Sequence, residues 1–224
     1  MDEVDWAASE DPQAMLQWLQ DTGRLTDRKA RLFGVACSRR VGHLLRDERS
    51  RRAVEVAERA AEGQSEQEEV MAALQAAWDA VNDTHDSILE ALMTAAAPNL
   101  EIESAAAAAA NTPAGAPITA ANAALDAVGQ GAAVAERRHQ AAVLRDLLGP
   151  LPFRPVQVEA CWRTPAVLAL AAAIYDGRDF AAMPVLADVL QELGADNQEV
   201  LRHLREQGMH VRGCWCLDLL LGKE

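Results

Sequence analysis

His203, His210, Cys214 and Cys216 stand close together near the C-terminal end of the chain, spaced H-x6-H-x3-C-x-C. Imidazole and thiolate are ligands for zinc, and four of them close a tetrahedral site. The spacing fits no standard zinc module, and two ligands one residue apart on a helix do not face each other. The expectation is therefore no bound metal and no cofactor, with these four residues as the alternative metal set. The same stretch offers an alternative nucleophilic site, in which His210 would activate Cys214 with Asp218 at hand, or Cys161 and His203 would take those parts. Neither a glycine-framed nucleophile turn nor a Gly-rich phosphate loop occurs in the chain. A non-enzymatic role is favoured. The two readings part on burial. A water-accessible pocket lined by His210, Cys214 and Asp218 would speak for an enzyme, and burial of those residues for a binding module.

Two further sets carry charge. Asp218 lies in Cys216-Leu217-Asp218-Leu219-Leu220-Leu221, a short helix apolar nearly all round, so it is expected inside. A buried carboxylate must be paired. Arg154, held between Pro152 and Pro155, is the expected partner, because a guanidinium engages both oxygens. Arg39, Arg40, Arg46, Arg49, Arg51 and Arg52 are the candidate binding residues. Ten basic and three acidic side chains lie between Arg24 and Arg52, although the formal net charge of the chain is −13. No aromatic residue interleaves the six arginines from Arg39 to Arg52, and the rest of the chain is acidic. An acidic face, in this chain or on a partner protein, is expected to meet these arginines in preference to nucleic acid.

The elements that must position these residues are helices. Hydrophobic residues make up 50% of the sequence but aromatics only 4%, so the apolar content is mostly Ala, Leu and Val. Ala and Leu favour helix, and the aromatic and β-branched residues that favour strands are scarce. An all-α fold follows. Cys37, Cys161, Cys214 and Cys216 suggest no disulfide framework, which points to a reducing, cytoplasmic compartment. The opening MDEVDWAASEDP has no apolar core of a signal peptide. The longest apolar run, residues 165–175, is far shorter than the ~20 residues of a membrane span, so no membrane partner is expected.

Caps and breakers divide the chain. Asp11-Pro12 opens a helix that ends at Gly23. Thr26 opens the arginine-bearing helix, and another covers 48–61. Ser65 and Glu68 read as a capping box for a long helix over 66–96 with the seam Met71, Leu74, Trp78, Val81, His85, Ile88 and Leu92. An Ala-rich stretch leads to a partner helix over 119–148, expected to return along the first as an antiparallel hairpin. GPLPFRP stops it. Short helices follow at 164–175, 183–193, 196–207 and 214–221. The expected division is 1–63, an Arg-rich helical unit; 64–148, the long hairpin; and 149–224, a C-terminal helical unit, the three able to form one compact domain.

TDRKARLFGVACSRR, DERSRRAVEVAERAAEG, LLGPLPFRPV and HVRGCWCLDLLLGKE together resemble a bacterial family of uncharacterised proteins whose C-terminal signature is H-V-R-G-C-W-x-x-D-L-L-L-G-K. Many members carry a Cys pair where this chain has Cys37-Ser38. Separately, residues 183–205, MPVLADVLQELGADNQEVLRHLR, resemble the repeat-companion domain. Neither resemblance implies catalytic residues, and both imply an interaction role. The function expected is that of an adaptor or regulatory module binding another protein through the hairpin seam or the C-terminal unit, by helix-in-groove packing. The hairpin is also where copies of the chain would pair. The alternative is a small enzyme or metal-binding protein with its site in the C-terminal unit.

Overall fold

The computed structural model describes residues 1–92, 121, 122, 124 and 132–223, the stretch 84–92 by its backbone only. The fold is all-α. Ten helices occupy the described residues, and no strand occurs among them. They are α1 (Glu3–Ala8), α2 (Pro12–Asp21), α3 (Asp27–Arg40), α4 (Glu48–Ala61), α5 (Gln67–Leu92), α6 (Ala133–Leu148), α7 (Pro165–Gly177), α8 (Met183–Glu192), α9 (Gln198–Arg205) and α10 (Trp215–Leu221).

The chain divides into two compact units, residues 9–141 and residues 1–8 with 142–224. This differs from the three-part division expected from composition. The break falls inside α6 and not at GPLPFRP, and the first eight residues belong with the C-terminal unit. Helix α1 was not foreseen in the acidic N-terminus. Asp2 caps it by accepting from the Asp5 amide at 2.8 Å, and it buries Trp6, whose ring meets that of Phe153 at 6.1 Å.

In the unit of residues 9–141, α4 packs on both α3 and α5. Asp11 accepts from the Gln13 and Ala14 amides and Thr26 from Lys29, as their cap positions predict. Val35, Leu45, Ala53, Val54, Ala57, Ala77 and Val81 form a core. The face of α5 is corrected in part, since Leu74 and Val81 of the expected seam do pack into the core. Val70, Ala73, Ala77 and Ala80 are buried, whereas Met71 and Trp78 stand exposed. Small alanines let α4 and α5 approach, and Met71 and Trp78 turn outward. The capping box is not formed either. Helix α5 starts one residue later, with Val70 donating to the Glu66 carbonyl, and the Ser65 hydroxyl has no hydrogen-bond partner among the described residues. The hairpin turn, the seam beyond Val81 with His85, and Leu125 and Val128 lie outside the described side chains.

In the C-terminal unit, α7 contacts α8 and α10, and α8 contacts α9. Thr164 caps α7 through the Val167 amide. Asn197, not Asp196, caps α9. The core holds Trp162, Ile174, Tyr175, Met183, Leu186, Leu190, Leu204, Trp215 and Leu217. Fully burying each large apolar side chain contributes ~1.5–3 kcal/mol, so the short helices are held by packing and not by their own propensity.

Candidate functional site

The C-terminal unit gathers its chemistry around one carboxylate. Asp146 sits in the last turn of α6, where the helix dipole disfavours an anion, and it is buried. Its two oxygens have separate partners. Oδ2 accepts from the Val211 amide at 2.8 Å. Oδ1 accepts from His210 Nδ1 at 2.6 Å and lies 3.4 Å from His203 Nε2. His203 Nε2 is in turn 3.0 Å from Cys214 Sγ. His210 directs its other nitrogen, Nε2, at the Glu206 carbonyl at 3.3 Å.

Local sequence explains each placement. Helix α9 buries Val200, Leu201 and Leu204, and His203 follows them inward on the same side. The HVRGC stretch makes a tight turn, with the Cys214 amide donating to the Val211 carbonyl at 3.0 Å and Gly213 at φ +91°. Positive φ at the third position is what a type II turn demands of glycine. That turn aims the Val211 amide at Asp146 and puts Cys214 at the N-cap position of α10.

Burial by itself would raise the Asp146 carboxyl, but the hydrogen bonds from His203 and His210 outweigh it and hold the group below the ordinary range. Burial would likewise depress His210, and the Asp146 carboxylate and Glu206 carbonyl raise it instead. Both nitrogens of His210 face acceptors, an arrangement that only the imidazolium satisfies in full. Burial pushes the Cys214 thiol well up, and the charge of Asp146 adds to the effect. Cys216 is pushed up by burial and by Asp146 as well. Neither thiol is poised as a thiolate nucleophile.

The sequence-predicted sets are redrawn accordingly. His203, His210 and Cys214 converge, but the fourth member is Asp146 and not Cys216, the four ligand atoms lying within 4.8 Å of one another. Cys216 is buried outside the group, because two positions along a helix turn it away. Asp218 is buried, as its apolar helix requires, and lies outside the group too. Cys161 is exposed, with its thiol 3.5 Å from Glu159 and not on a histidine. The expected Arg154–Asp218 pair gives way to a surface arrangement: Arg154 donates to both oxygens of Glu199, at 2.6 and 2.8 Å, and to Glu3 at 3.0 Å. The stiff proline loop does fix Arg154, but facing outward, where acids of α1 and α9 reach it.

The basic cluster meets acids of its own unit. Arg39 pairs with Glu58 at 2.7 Å and Arg40 with the buried Glu136 at 2.7 Å. Arg49 bridges Asp47 and Asp83, and Arg51 holds Glu48 and the Leu45 carbonyl. Arg46 and Arg52 are exposed.

Beside the carboxylate cluster opens a cleft of about 240 Å³ whose walls include Trp6, Trp215, Arg145, Arg154, Glu199 and His203. Among the cluster residues only His203 reaches it. Asp146 gave no signal in LRDLLG beyond being a carboxylate in the last turn of a helix that is otherwise apolar on that side. The chain matches no family model, no curated protein and no solved structure. No described helix is long and apolar enough to cross a membrane.

Proposed function

We propose that the chain is a non-enzymatic binding module that takes a segment of another protein at the cleft of its C-terminal unit. One observation carries this reading. The residues that would do chemistry are withdrawn from water: Cys214 and Asp218 are buried, the His210 side chain is 5% exposed, and none of the three lines the cleft. What the cleft offers is recognition chemistry, a rim of Arg145, Arg154 and Arg202 with Glu3, Glu199 and Glu206 over a floor where the largely buried Trp6 and Trp215 show only an edge. Aromatic and arginine side chains are the groups that dominate protein interfaces. The charge-laced rim suits a partner segment that carries both signs.

Arg39, Arg40, Arg49 and Arg51 are assigned an intramolecular role, since acids of the same unit already meet them. The test is affinity capture from the native host with the full chain and with Glu199→Arg. A protein retained by the first and lost with the second supports the reading. Turnover of a small molecule that depends on Cys214 would overturn it.

A further inference from the structure

The cluster at the centre of the C-terminal unit has a donor set that its hydrogen bonds alone do not account for. A carboxylate oxygen, two imidazole nitrogens and a sulfur come together from three separate pieces of chain: the end of α6, the body of α9 and the turn before α10. His203 Nε2 faces both Asp146 Oδ1 at 3.4 Å and Cys214 Sγ at 3.0 Å, and one ring nitrogen cannot serve both well.

We propose that Asp146, His203, His210 and Cys214 form a four-coordinate site for a zinc-class divalent cation, bound through Asp146 Oδ1, His203 Nε2, His210 Nδ1 and Cys214 Sγ. The proposal is independent of the binding-module reading. Carboxylate, imidazole and thiolate are the three ligand types zinc takes, and a mixed set of four is the closed geometry of structural sites. Ligand atoms around a tetrahedral zinc stand roughly 3.3–3.7 Å apart, from metal–ligand lengths of ~2.0–2.3 Å. The distances here, 2.6, 3.0 and 3.4 Å, bracket the lower end of that range. Side-chain movements of up to about 1 Å bring the four atoms, now within 4.8 Å of one another, to that spacing.

The surroundings are those of a metal site as well. The Val211 amide holds Asp146 Oδ2, which leaves Oδ1 as a single ligand atom. The Glu206 carbonyl accepts a hydrogen bond from His210 Nε2, which fixes the ring with Nδ1 inward. Hydrogen bonds of this kind orient ligands and set the tautomer. His203 borders the cleft and supplies the route from solvent. The exchange balances. One divalent cation enters and two protons leave, one from His210 Nδ1 and one from the Cys214 thiol, while the proton of the neutral His203 ring shifts from Nε2 to Nδ1, so the charge buried in the site does not change.

The experiment uses the full chain, purified without chelator, with Zn2+ and Co2+ as the probes. Elemental analysis is expected to give one zinc per chain. Cobalt substitution is expected to give a tetrahedral visible spectrum with a thiolate-to-cobalt band. Asp146→Asn and Cys214→Ser should each weaken zinc binding at least about 10-fold, as losing even a supporting residue does, while Cys216→Ser binds as the parent does. If the variants do not fold, the wild-type cobalt spectrum decides, because it reports thiolate coordination directly. A chain that binds less than a tenth of an equivalent of zinc and shows no cobalt–thiolate band overturns the proposal. So does zinc lost with Cys216→Ser and kept with Cys214→Ser, which would mean a different ligand set.

Discussion

The ring of His210 and the carboxylate of Asp146 are 64 positions apart in the chain and meet at 2.6 Å. The contact joins the last turn of α6 to the loop after α9, and the Val211 amide doubles it at 2.8 Å. An imidazolium and a carboxylate buried together need each other, because either one alone would be a charge without solvent.

Asp146→Asn in chelator-treated protein is therefore expected to lose about 3 kcal/mol, the cost of breaking one side of a buried pair. The surface change Asp196→Asn should stay within about 0.5 kcal/mol. Denaturant unfolding measures both. A loss under about 1 kcal/mol for Asp146→Asn would show that the pair does not hold the unit together.

Much of this fold was legible in the sequence, because it rests on local rules. Asp11-Pro12, Thr26 and Thr164-Pro165 each mark a helix start, and the caps are made. Where the sequence misled, tertiary packing had overridden a local signal. Ser65 had the right neighbours for a capping box, but α5 starts two residues beyond it, at Gln67. Met71 and Trp78 had the size of core residues, yet the alanines of α5 took the buried face. Three of the four cluster residues were visible as a spacing. Asp146 was not, since its nearness to His210 is created by folding across 64 positions. The same limit hid the fourth member of the cluster, because Cys214 and Cys216 cannot both face it while Asp146 does.

Arg39 and Arg40 are expected to act on stability and not on nucleic acid. Glu136 is buried and accepts from Arg40 and from Gln140. Arg40→Met strips that carboxylate of its cation and should cost about 3 kcal/mol, whereas Arg52→Ala, at an exposed position, should stay within about 0.5 kcal/mol. Duplex DNA should bind the parent no more tightly than ~1 µM at physiological salt, the range of non-specific contact. A tighter shift abolished by Arg51→Ala with Arg52→Ala would contradict this assignment.

His139 gives the unit of residues 9–141 a pH dependence of known sign. Burial, with Arg40 nearby, lowers its pKa from 6.5 to about 4. The folded state keeps the ring neutral where the unfolded chain has already protonated. Between those two values the unfolded state binds more protons, so stability falls as pH falls from about 6.5 towards 4 and is level above that window. The ring is only half-buried, so solvent screening reduces the effect to about 1 kcal/mol. Unfolding stabilities of the parent and His139→Gln should differ by a constant amount above about pH 6.5, and the parent should lose stability relative to the variant as pH falls towards 4. Parallel curves across the window would contradict it.

Arg154 and Glu199 should couple, and Arg154 and Asp218 should not. The bidentate pair is solvent-exposed on the arginine side, so a double-mutant cycle of Arg154→Met and Glu199→Gln should give about 0.2–1 kcal/mol. The cycle of Arg154→Met with Asp218→Asn should be additive within about 0.3 kcal/mol. Coupling above about 1 kcal/mol in the second cycle would restore the pairing expected from sequence.

Gly149 tests how the end of α6 fixes the site. It has φ +52°, and a Cβ added there would lie 2.6 Å from three ring atoms of Trp215. That indole is buried, directly follows Cys214, and stands 5.0 Å from the His203 ring. A methyl group at Gly149 must displace the indole, and Cys214 and His203 move with it. Gly23 separates the two costs, since it has φ +63° and nothing within 4 Å of an added Cβ. Gly23→Ala should therefore pay only the left-handed backbone penalty of ~1–2 kcal/mol. Gly149→Ala adds overpacking of ~1–3 kcal/mol and should also shift the Trp215 fluorescence and slow exchange of the buried His210 ring proton less than the parent does. Equal losses for the two variants, with an unchanged emission spectrum, would show that the α6 terminus does not govern the position of Trp215.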